Sequence, residues 1–448
     1  MYQSKYNKVF ELGDDRSVIY NTLSGAIDVV DCDPFSGEID LASEGSQQLR
    51  GYLEQRGYLF EAEGAEKKEL DRLHAAYRDF IRRIRPLIFY VVVTYTCNLR
   101  CHYCFQGPVK NKKDTFRPED LGAAFQAIKL IRQRHAETRT KPVVALFGGE
   151  PLLKRNLVVV ERILDRVSTE GFVNGPIISN GVELDEFLPL FQRFRPSGVQ
   201  VTLDGPRDVH DRRRIGVGGE PTFDRIVANV HRALGCGVKI GVRTNVDQDT
   251  VGALPRLVEF VDRQGWIGRK DVELNLAPVH HRPCGTLDQS RVQAKLLERV
   301  LGQMREIPEL QRWNLDGWTV VNYFRRLLDD DQPVLPRFDH CEAAVGKSYH
   351  LDMYGKIYTC IEACGIEQYA AGRFLPTLEF YELYERLRNR HMMNMERCRS
   401  CNLALVCGGG CALQSLYDHH TTDTPLCGNI ERDLASYVRF RFREERRK

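Results

Sequence analysis

From Leu87 onward the chain alternates two kinds of segment. Short apolar, β-branched runs at Ile88–Tyr95, Val143–Phe147, Pro176–Ser179, Val199–Leu203, Val238–Val246 and Val272–Pro278 are bounded by polar loops. Runs of this length and composition predict buried strands. Between them lie stretches whose apolar residues recur every three to four positions: Pro118–His135, Leu157–Glu170, Leu184–Arg193, Phe223–Cys236 and Val251–Gln264. These predict helices with one face turned to a core. Strand–helix units in succession predict an α/β architecture of parallel strands covered by helices. The periodicity alone does not choose between an open sheet and a full or partial barrel.

The first 86 residues read differently. Tyr6–Leu12, Ser17–Leu23 and Gly25–Val30 predict short strands with turns at Asp14-Asp15 and Ser24-Gly25, Gln47–Arg56 predicts a helix, and Gly57–Phe60 predicts a wing. Glu66–Arg85 predicts a charged amphipathic linker helix. With 448 residues, 42% hydrophobic and 28% charged, the chain is expected to be soluble and globular, with two to three domains. A net charge of +3 is too small to imply nucleic acid, and the basic end, Arg439–Lys448, reads as a solvated helix terminus. No apolar run reaches the roughly 20 residues a membrane span needs. Met1–Lys8 has no apolar core, so no signal peptide is predicted and the cytoplasm is the expected compartment.

Fourteen cysteines change this picture. They cluster at short spacings in two regions, which in a chain without an export signal points to metal ligands rather than disulfides. The first group is Cys97-Asn-Leu-Arg-Cys101-His-Tyr-Cys104. Three thiolates on a [4Fe–4S] cluster leave one iron open to a small molecule. The alternative, a zinc site, usually closes with four Cys or His ligands, and His102 stands at a spacing zinc modules seldom use. Cys97 follows the first predicted strand, Gly148–Pro151 the second, Ser179-Asn180-Gly181 the third and Asp204-Gly205-Pro206 the fourth, while Arg243 sits within the fifth run. In parallel α/β folds the C-terminal strand ends build the active site, so these motifs are expected on one rim.

The Cys-x3-Cys-x2-Cys spacing, followed by Gly148-Gly149-Glu150-Pro151, resembles the radical S-adenosylmethionine (SAM) enzymes, over about Leu87 to Asn429. The resemblance implies a partial (β/α)6 barrel and a [4Fe–4S] cluster on Cys97, Cys101 and Cys104 that binds SAM. It places Gly148, Gly149, Glu150 and Pro151 at the SAM amino group, Ser179 and Asn180 at the ribose and Arg243 at the carboxylate, with Tyr103, Thr202 and Asp204 as further contacts. Leu203–Pro206 with His210, Asp211 and Arg214 resembles the subgroup that modifies peptides and proteins; Asp211 and Arg214 are expected to form a structural pair or cap.

The second cysteine group, Cys341, Cys360, Cys398-x2-Cys401-x5-Cys407-x3-Cys411 and Cys427, with Gly355 before Cys360, resembles the SPASM domain. A zinc ribbon is the alternative, but seven thiols exceed what one zinc ion uses. The resemblance implies two auxiliary [4Fe–4S] clusters. Cys398, Cys401, Cys407 and Cys427 would ligate the outer one, and Cys341, Cys360 and Cys411 the inner one, with Cys284, Cys364 or nothing as its fourth ligand. Gly408-Gly409-Gly410 would let backbone pack tightly between ligands. Cys32, Cys236 and Cys284 read as small buried hydrophobes.

The N-terminal segment resembles the winged-helix element with which peptide maturases bind a leader by strand addition; the alternative is a packing extension without a ligand. The expected organisation is a peptide-recognition segment (1–64), a linker helix (65–86), a radical SAM domain (87–310), a bridge (311–337) and a SPASM domain (338–448). The activity implied is formation of a 5′-deoxyadenosyl radical that installs a thioether or carbon–carbon crosslink in a ribosomally made precursor peptide with a leader. A flavodoxin- or ferredoxin-type protein would supply the electron. One alternative is a sulfatase-type maturase that oxidises Cys or Ser to formylglycine. In that family an Asp directly follows the second SPASM cysteine; here Ile361 stands there, leaving Glu362 as the candidate base. An iron–sulfur electron carrier or scaffold is the alternative of another class.

Overall fold

The structure, a computed structural model, describes the 448 residues apart from 14, 32, 37–42, 110, 111, 113, 280–286, 331–333 and 444–448. The expectations for Asp14, Cys32, Cys284 and the end of the basic tail lie outside the described residues.

The apolar runs form six parallel strands that pair in sequence order: β1 (Ile88–Val92), β2 (Val143–Phe147), β3 (Val173–Ser179), β4 (Gly198–Thr202), β5 (Ile240–Val246) and β6 (Val272–Pro278). Alternate side chains point to opposite faces of a strand, and the two faces carry different partners. Phe89 and Val91 of β1 share a core with Ala124, Phe125 and Ile128 of helix Leu121–Arg134. Tyr90 and Val92 face the other way, into a cluster with Phe147, Ile178 and Tyr358. Helices Leu157–Thr169, Leu188–Phe194, Phe223–Gly235 and Leu254–Arg263 complete the outer layer. This is the partial (β/α)6 barrel expected.

The sheet does not stop at six strands. β7 (Asn314–Leu315) adds in parallel beside β6, and β8 (Ser348–Asp352) adds in parallel beside β1. Three antiparallel strands then follow from β8: β9 (Lys356–Tyr358), β10 (Gly372–Arg373) and β11 (Glu379–Phe380). One open sheet of eleven strands results. The cysteine-rich part of the chain is therefore built onto the barrel's own sheet, with β8 and β9 carrying the chain from Cys341 to Cys360. Among the described residues no helix is long and apolar enough to cross a membrane.

At the N-terminus, Asn7–Glu11, Ser17–Asn21 and Ile27–Val30 form a three-stranded antiparallel sheet, followed by helix Gln47–Gln55. The expected wing is not part of that sheet. Leu59–Phe60 pairs instead with Tyr2–Gln3, because the chain's first residues lie beside it and supply its ladder partners. Helix Glu63–Arg83 then leads to β1. The N-terminal sheet is seated on the C-terminal region: Thr22 Oγ1 donates to Asn402 O at 2.6 Å, Lys8 pairs with Glu431, and the Tyr20 ring meets Phe324 edge-on at 5.1 Å.

Candidate active site

The loop after β1 carries Cys97, Cys101 and Cys104. Its backbone is pinned from three sides. Thr94 Oγ1 donates to Asp114 O at 2.7 Å, Tyr95 Oη donates to Asp352 of β8 at 3.0 Å, and Arg100 N donates to Ile215 O at 2.9 Å. From below, Gly149 N donates to Thr94 O at 2.7 Å and Glu150 N to Thr96 O at 2.9 Å. Only glycine fits here. A Cβ on Gly148 would lie 2.3 Å from Thr94 O, and one on Gly149 would lie 2.4 Å from Tyr95 O and 2.5 Å from Thr96 O. The close approach these glycines allow is thus to the cysteine loop itself.

Glu150 turns inward and ties the ends of β2 and β3 together. Its carboxylate accepts from Ser179 Oγ and Leu152 N, both at 2.8 Å, and from Asn180 N at 2.6 Å. Burial holds its pKa up at about 7 against the pull of these donors. Burial, reinforced by the nearby Glu150, also pushes the Cys97 thiol up to about 12. Asn180 Nδ2 donates to Asn98 Oδ1 at 2.7 Å and approaches Cys97 Sγ at 3.7 Å. Pro151 O accepts from Asn156 Nδ2 at 3.2 Å.

A second network gathers at the ends of β4 and β5. Tyr103 Oη donates to Asp204 Oδ2 and accepts from Arg214 Nη1 at 2.7 Å. Asn245 donates through both its backbone N and Nδ2 to Asp204 Oδ1, each at 3.1 Å. The Arg213 guanidinium stacks 4.8 Å above the Tyr103 ring and stands 3.6 Å from Asp204 Oδ2. Asp204, Arg213 and Arg214 are all buried, and Arg214 Nε has no hydrogen-bond partner. Arg214 lies within electrostatic reach of Cys97 and Cys101.

Of the pair or cap expected of Asp211 and Arg214, the cap is found at Asp211, and Arg243 has partners of its own. Asp211 and Arg214 do not pair. Asp211 Oδ1 accepts from Thr222 N at 2.8 Å and Phe223 N at 2.9 Å, covering donors at the start of helix Phe223–Gly235, while Arg214 turns to Tyr103. Arg243 lies midway along β5, opposite Thr202, and donates to Asp316 Oδ2 at 2.8 Å and Asn245 Oδ1 at 3.0 Å. Its guanidinium already holds a carboxylate of this chain. The residues missed by sequence reasoning are Arg213, Asn245 and Asp316. Asn245 alone had a legible signal, standing two positions beyond Arg243 on the same strand face.

Two places in the structure gather C-terminal cysteines. Cys341, Cys360 and Cys411 line one small cavity with Thr359, Leu383 and Leu416. Cys398 lies within electrostatic reach of Cys401 and Cys427, and Cys407 within reach of Cys398 and Cys427. The glycine triplet separates the sets. A Cβ on Gly408 would meet Asp339 O at 2.4 Å, two residues before Cys341, and one on Gly410 would meet Leu426 O at 2.1 Å, just before Cys427. Cys364 is not among the residues lining the inner cavity. It is buried in the cluster that holds Tyr95 and Phe147, and its thiol donates to Cys360 O at 3.5 Å. Glu362 lies close enough to Cys360 to raise its pKa further. Cys236 ends helix Phe223–Gly235 and is half-buried, not enclosed. Among the described residues every cysteine is a free thiol, and no three His, Cys, Asp or Glu side chains converge tightly enough for a single metal ion.

Residues 91–261 match the model of the radical SAM superfamily. In sequence the chain is 22% identical over 357 residues to a cysteine-type anaerobic sulfatase-maturating enzyme of Clostridium novyi, covering 75% of this chain and 90% of that protein. It is 21% identical over 421 residues to an Fe-coproporphyrin III synthase of Methanosarcina barkeri, covering 83% and 94%. In structure it resembles anSMEcpe with bound AdoMet, with a TM-score of 0.61 at 15% identity over 80% of this chain and 93% of the other. It also resembles Streptococcus suis SuiB bound to its precursor peptide SuiA, with a TM-score of 0.54 at 15% identity over 94% and 98%.

Proposed function

Because the chain carries a radical SAM domain at residues 91–261 and shares the fold of SPASM-type maturases, we propose that it is a radical SAM maturase that crosslinks a precursor peptide. The [4Fe–4S] cluster on Cys97, Cys101 and Cys104 would supply one electron to bound SAM, releasing methionine and a 5′-deoxyadenosyl radical. The residues around it hold and orient. Glu150 fixes Ser179 and Asn180 at the end of β3, beside Cys97. Arg214, not Arg243, is the cation for the SAM carboxylate, since its Nε is unpartnered near Cys101 while Arg243 already binds Asp316. Tyr103, locked between Asp204 and Arg214, offers its ring to the nucleoside. Tyr95, Phe147 and Tyr358 pack beneath the loop and exclude water.

The all-thiol sets fit two auxiliary clusters, the inner one with three ligands among the described residues. An iron without a protein ligand there would take a substrate thiolate, which favours a thioether. The observation that favours a precursor peptide as substrate is the extent of the fold shared with SuiB bound to its precursor peptide SuiA, 94% of this chain. The formylglycine reading has its own support in the relative of Clostridium novyi. It would need Glu362, beside Cys360, as base, because Ile361 occupies the position of that family's Asp. We place the enzyme in the cytoplasm with a flavodoxin- or ferredoxin-type donor.

Anaerobic incubation of reconstituted protein with dithionite and SAM tests the class. Accumulation of 5′-deoxyadenosine is expected; intact clusters without it would mark a carrier instead. Mass spectrometry of cysteine-bearing peptides after reaction separates the two maturase readings. Loss of two hydrogens with a new internal bond signals crosslinking, and an aldehyde trapped by a hydrazine signals formylglycine.

A further inference from the structure

Arg390 has a placement that neither reading uses. It is buried, at 2% exposure, between helix Glu382–Arg388 and the outer cysteine set. Its guanidinium donates to four backbone carbonyls: Nη1 to Gly410 O at 2.6 Å, Nη2 to Gly409 O at 2.9 Å and Thr424 O at 3.2 Å, and Nε to Thr422 O. Gly409 and Gly410 belong to the five-residue stretch that begins with Cys407 of the outer set and ends with Cys411 of the inner one. Thr422 and Thr424 lead to Cys427. One side chain therefore clamps the loops that carry ligands of both sets.

Its hydrogen bonds are satisfied but its charge is not. Among the described residues Arg390 has no ion-pair partner. Asp339 lies within electrostatic reach, but its carboxylate is engaged with Tyr77. The groups that favour the arginine's charge are Cys411, Cys341, Cys407 and Cys398, two from each set. A buried cation without a counter-ion is costly, and buried charges are found paired. Thiolate-ligated iron–sulfur clusters carry net negative charge, which grows by one on reduction.

We propose that Arg390 is the shared counter-ion of the two auxiliary clusters, and that its charge raises the reduction potential of both. This rests on the assignment of the seven C-terminal cysteines to two clusters. Arg390 is a positioning residue, because it touches ligand loops and not substrate. A cluster held by either set would gain one negative charge on reduction by the external donor, and the fixed positive charge of Arg390 would stabilise it. A neutral residue at 390 removes that stabilisation from both sites together, whereas a change local to one loop would move one site alone.

The test uses full-length protein with Cys97, Cys101 and Cys104 replaced by alanine, so that only the C-terminal sites contribute. This parent should hold about eight iron atoms in two cubanes. If it does not, the cluster assignment fails and takes the proposal with it. With eight iron atoms present, dithionite titration followed by EPR gives both midpoint potentials. Arg390→Gln should lower the reduced-to-oxidised ratio of both clusters at least tenfold at fixed ambient potential, equivalent to 59 mV for a one-electron couple. Arg390→Lys, which keeps the charge but not the fork, should hold both ratios within about threefold of the parent. Unmoved potentials in Arg390→Gln overturn the proposal, as do equal shifts in the two variants. If Arg390→Gln does not retain its iron, Arg390→Met, neutral and of similar length, takes its place: lowered ratios at both sites support the charge role, and unmoved ones refute it.

Discussion

Replacing Gly149 by alanine tests whether the glycine pair exists for the cysteine loop. The added methyl would lie 2.4 Å from Tyr95 O, 2.5 Å from Thr96 O and 2.7 Å from Thr96 C, whereas ordinary contact begins near 3.4 Å. Relief requires the loop to retreat by about 0.9 Å, which carries the bonds from Gly149 N to Thr94 O and from Glu150 N to Thr96 O beyond useful length. Two lost buried hydrogen bonds cost about 2 kcal/mol, and residual overpacking adds about 1–3 kcal/mol. A penalty of about 3–5 kcal/mol is therefore concentrated on the segment that presents Cys97. The expected result is selective: iron after reconstitution falls from about twelve to about eight per chain, the four lost being those of the N-terminal cluster, and 5′-deoxyadenosine formation ceases. Gly302→Ala is the control, because a methyl there meets nothing within 4 Å. Full iron content with undiminished SAM cleavage in Gly149→Ala would refute the steric argument.

Other perturbations give distinct signatures. Asp211→Ala removes the acceptor at the start of helix Phe223–Gly235 and should cost about 1 kcal/mol in urea denaturation with SAM affinity unchanged; a loss of affinity instead would place Asp211 in the binding site. Tyr103→Phe deletes the hydroxyl shared by Asp204 and Arg214 and should weaken SAM binding roughly tenfold or more by equilibrium dialysis, with iron retained; unchanged affinity would show that the network has no part in binding. Glu150 titrates near 7 in the folded chain against an ordinary 4.5. The folded state therefore binds the extra proton between these values, and stability falls as pH rises through that window. Cluster-free protein should lose about 3 kcal/mol from this residue between pH 4.5 and 7. Glu150→Gln should flatten the profile, and an unaltered slope would show that the carboxyl is not the titrating group.

How much of this was legible in the sequence depends on the range of the interactions. The six core strands were readable because each holds a short, largely apolar and β-branched segment between polar loops, and their ends placed the polar motifs on one rim. The division of the seven C-terminal cysteines into two sets rested on the resemblance to the SPASM domain, because Cys341, Cys360 and Cys411 stand far apart in the chain. β8 was not. Its Ser348, His350 and Asp352 face the barrel interior, so the run carries none of the continuous hydrophobicity that marked the other strands. The wing at Gly57–Phe60 was misplaced because its partner is the chain's beginning, which no local pattern announces. Choosing between Arg214 and Arg243 needed the partners of each, Tyr103 and Asp316, which lie 111 and 73 positions away.

The shared sheet has a consequence for dissection. β8 supplies the hydrogen-bonded neighbour for all five residues of β1, and its Tyr349 and Leu351 sit in the same apolar core as Phe89 and Val91. A chain cut before residue 311 would leave that flank bare, a row of unpaired amides and carbonyls open to pairing with a second molecule. The N-terminal half should accordingly resist isolation as a soluble fragment, and the two halves of this protein stand or fall as one cooperative unit.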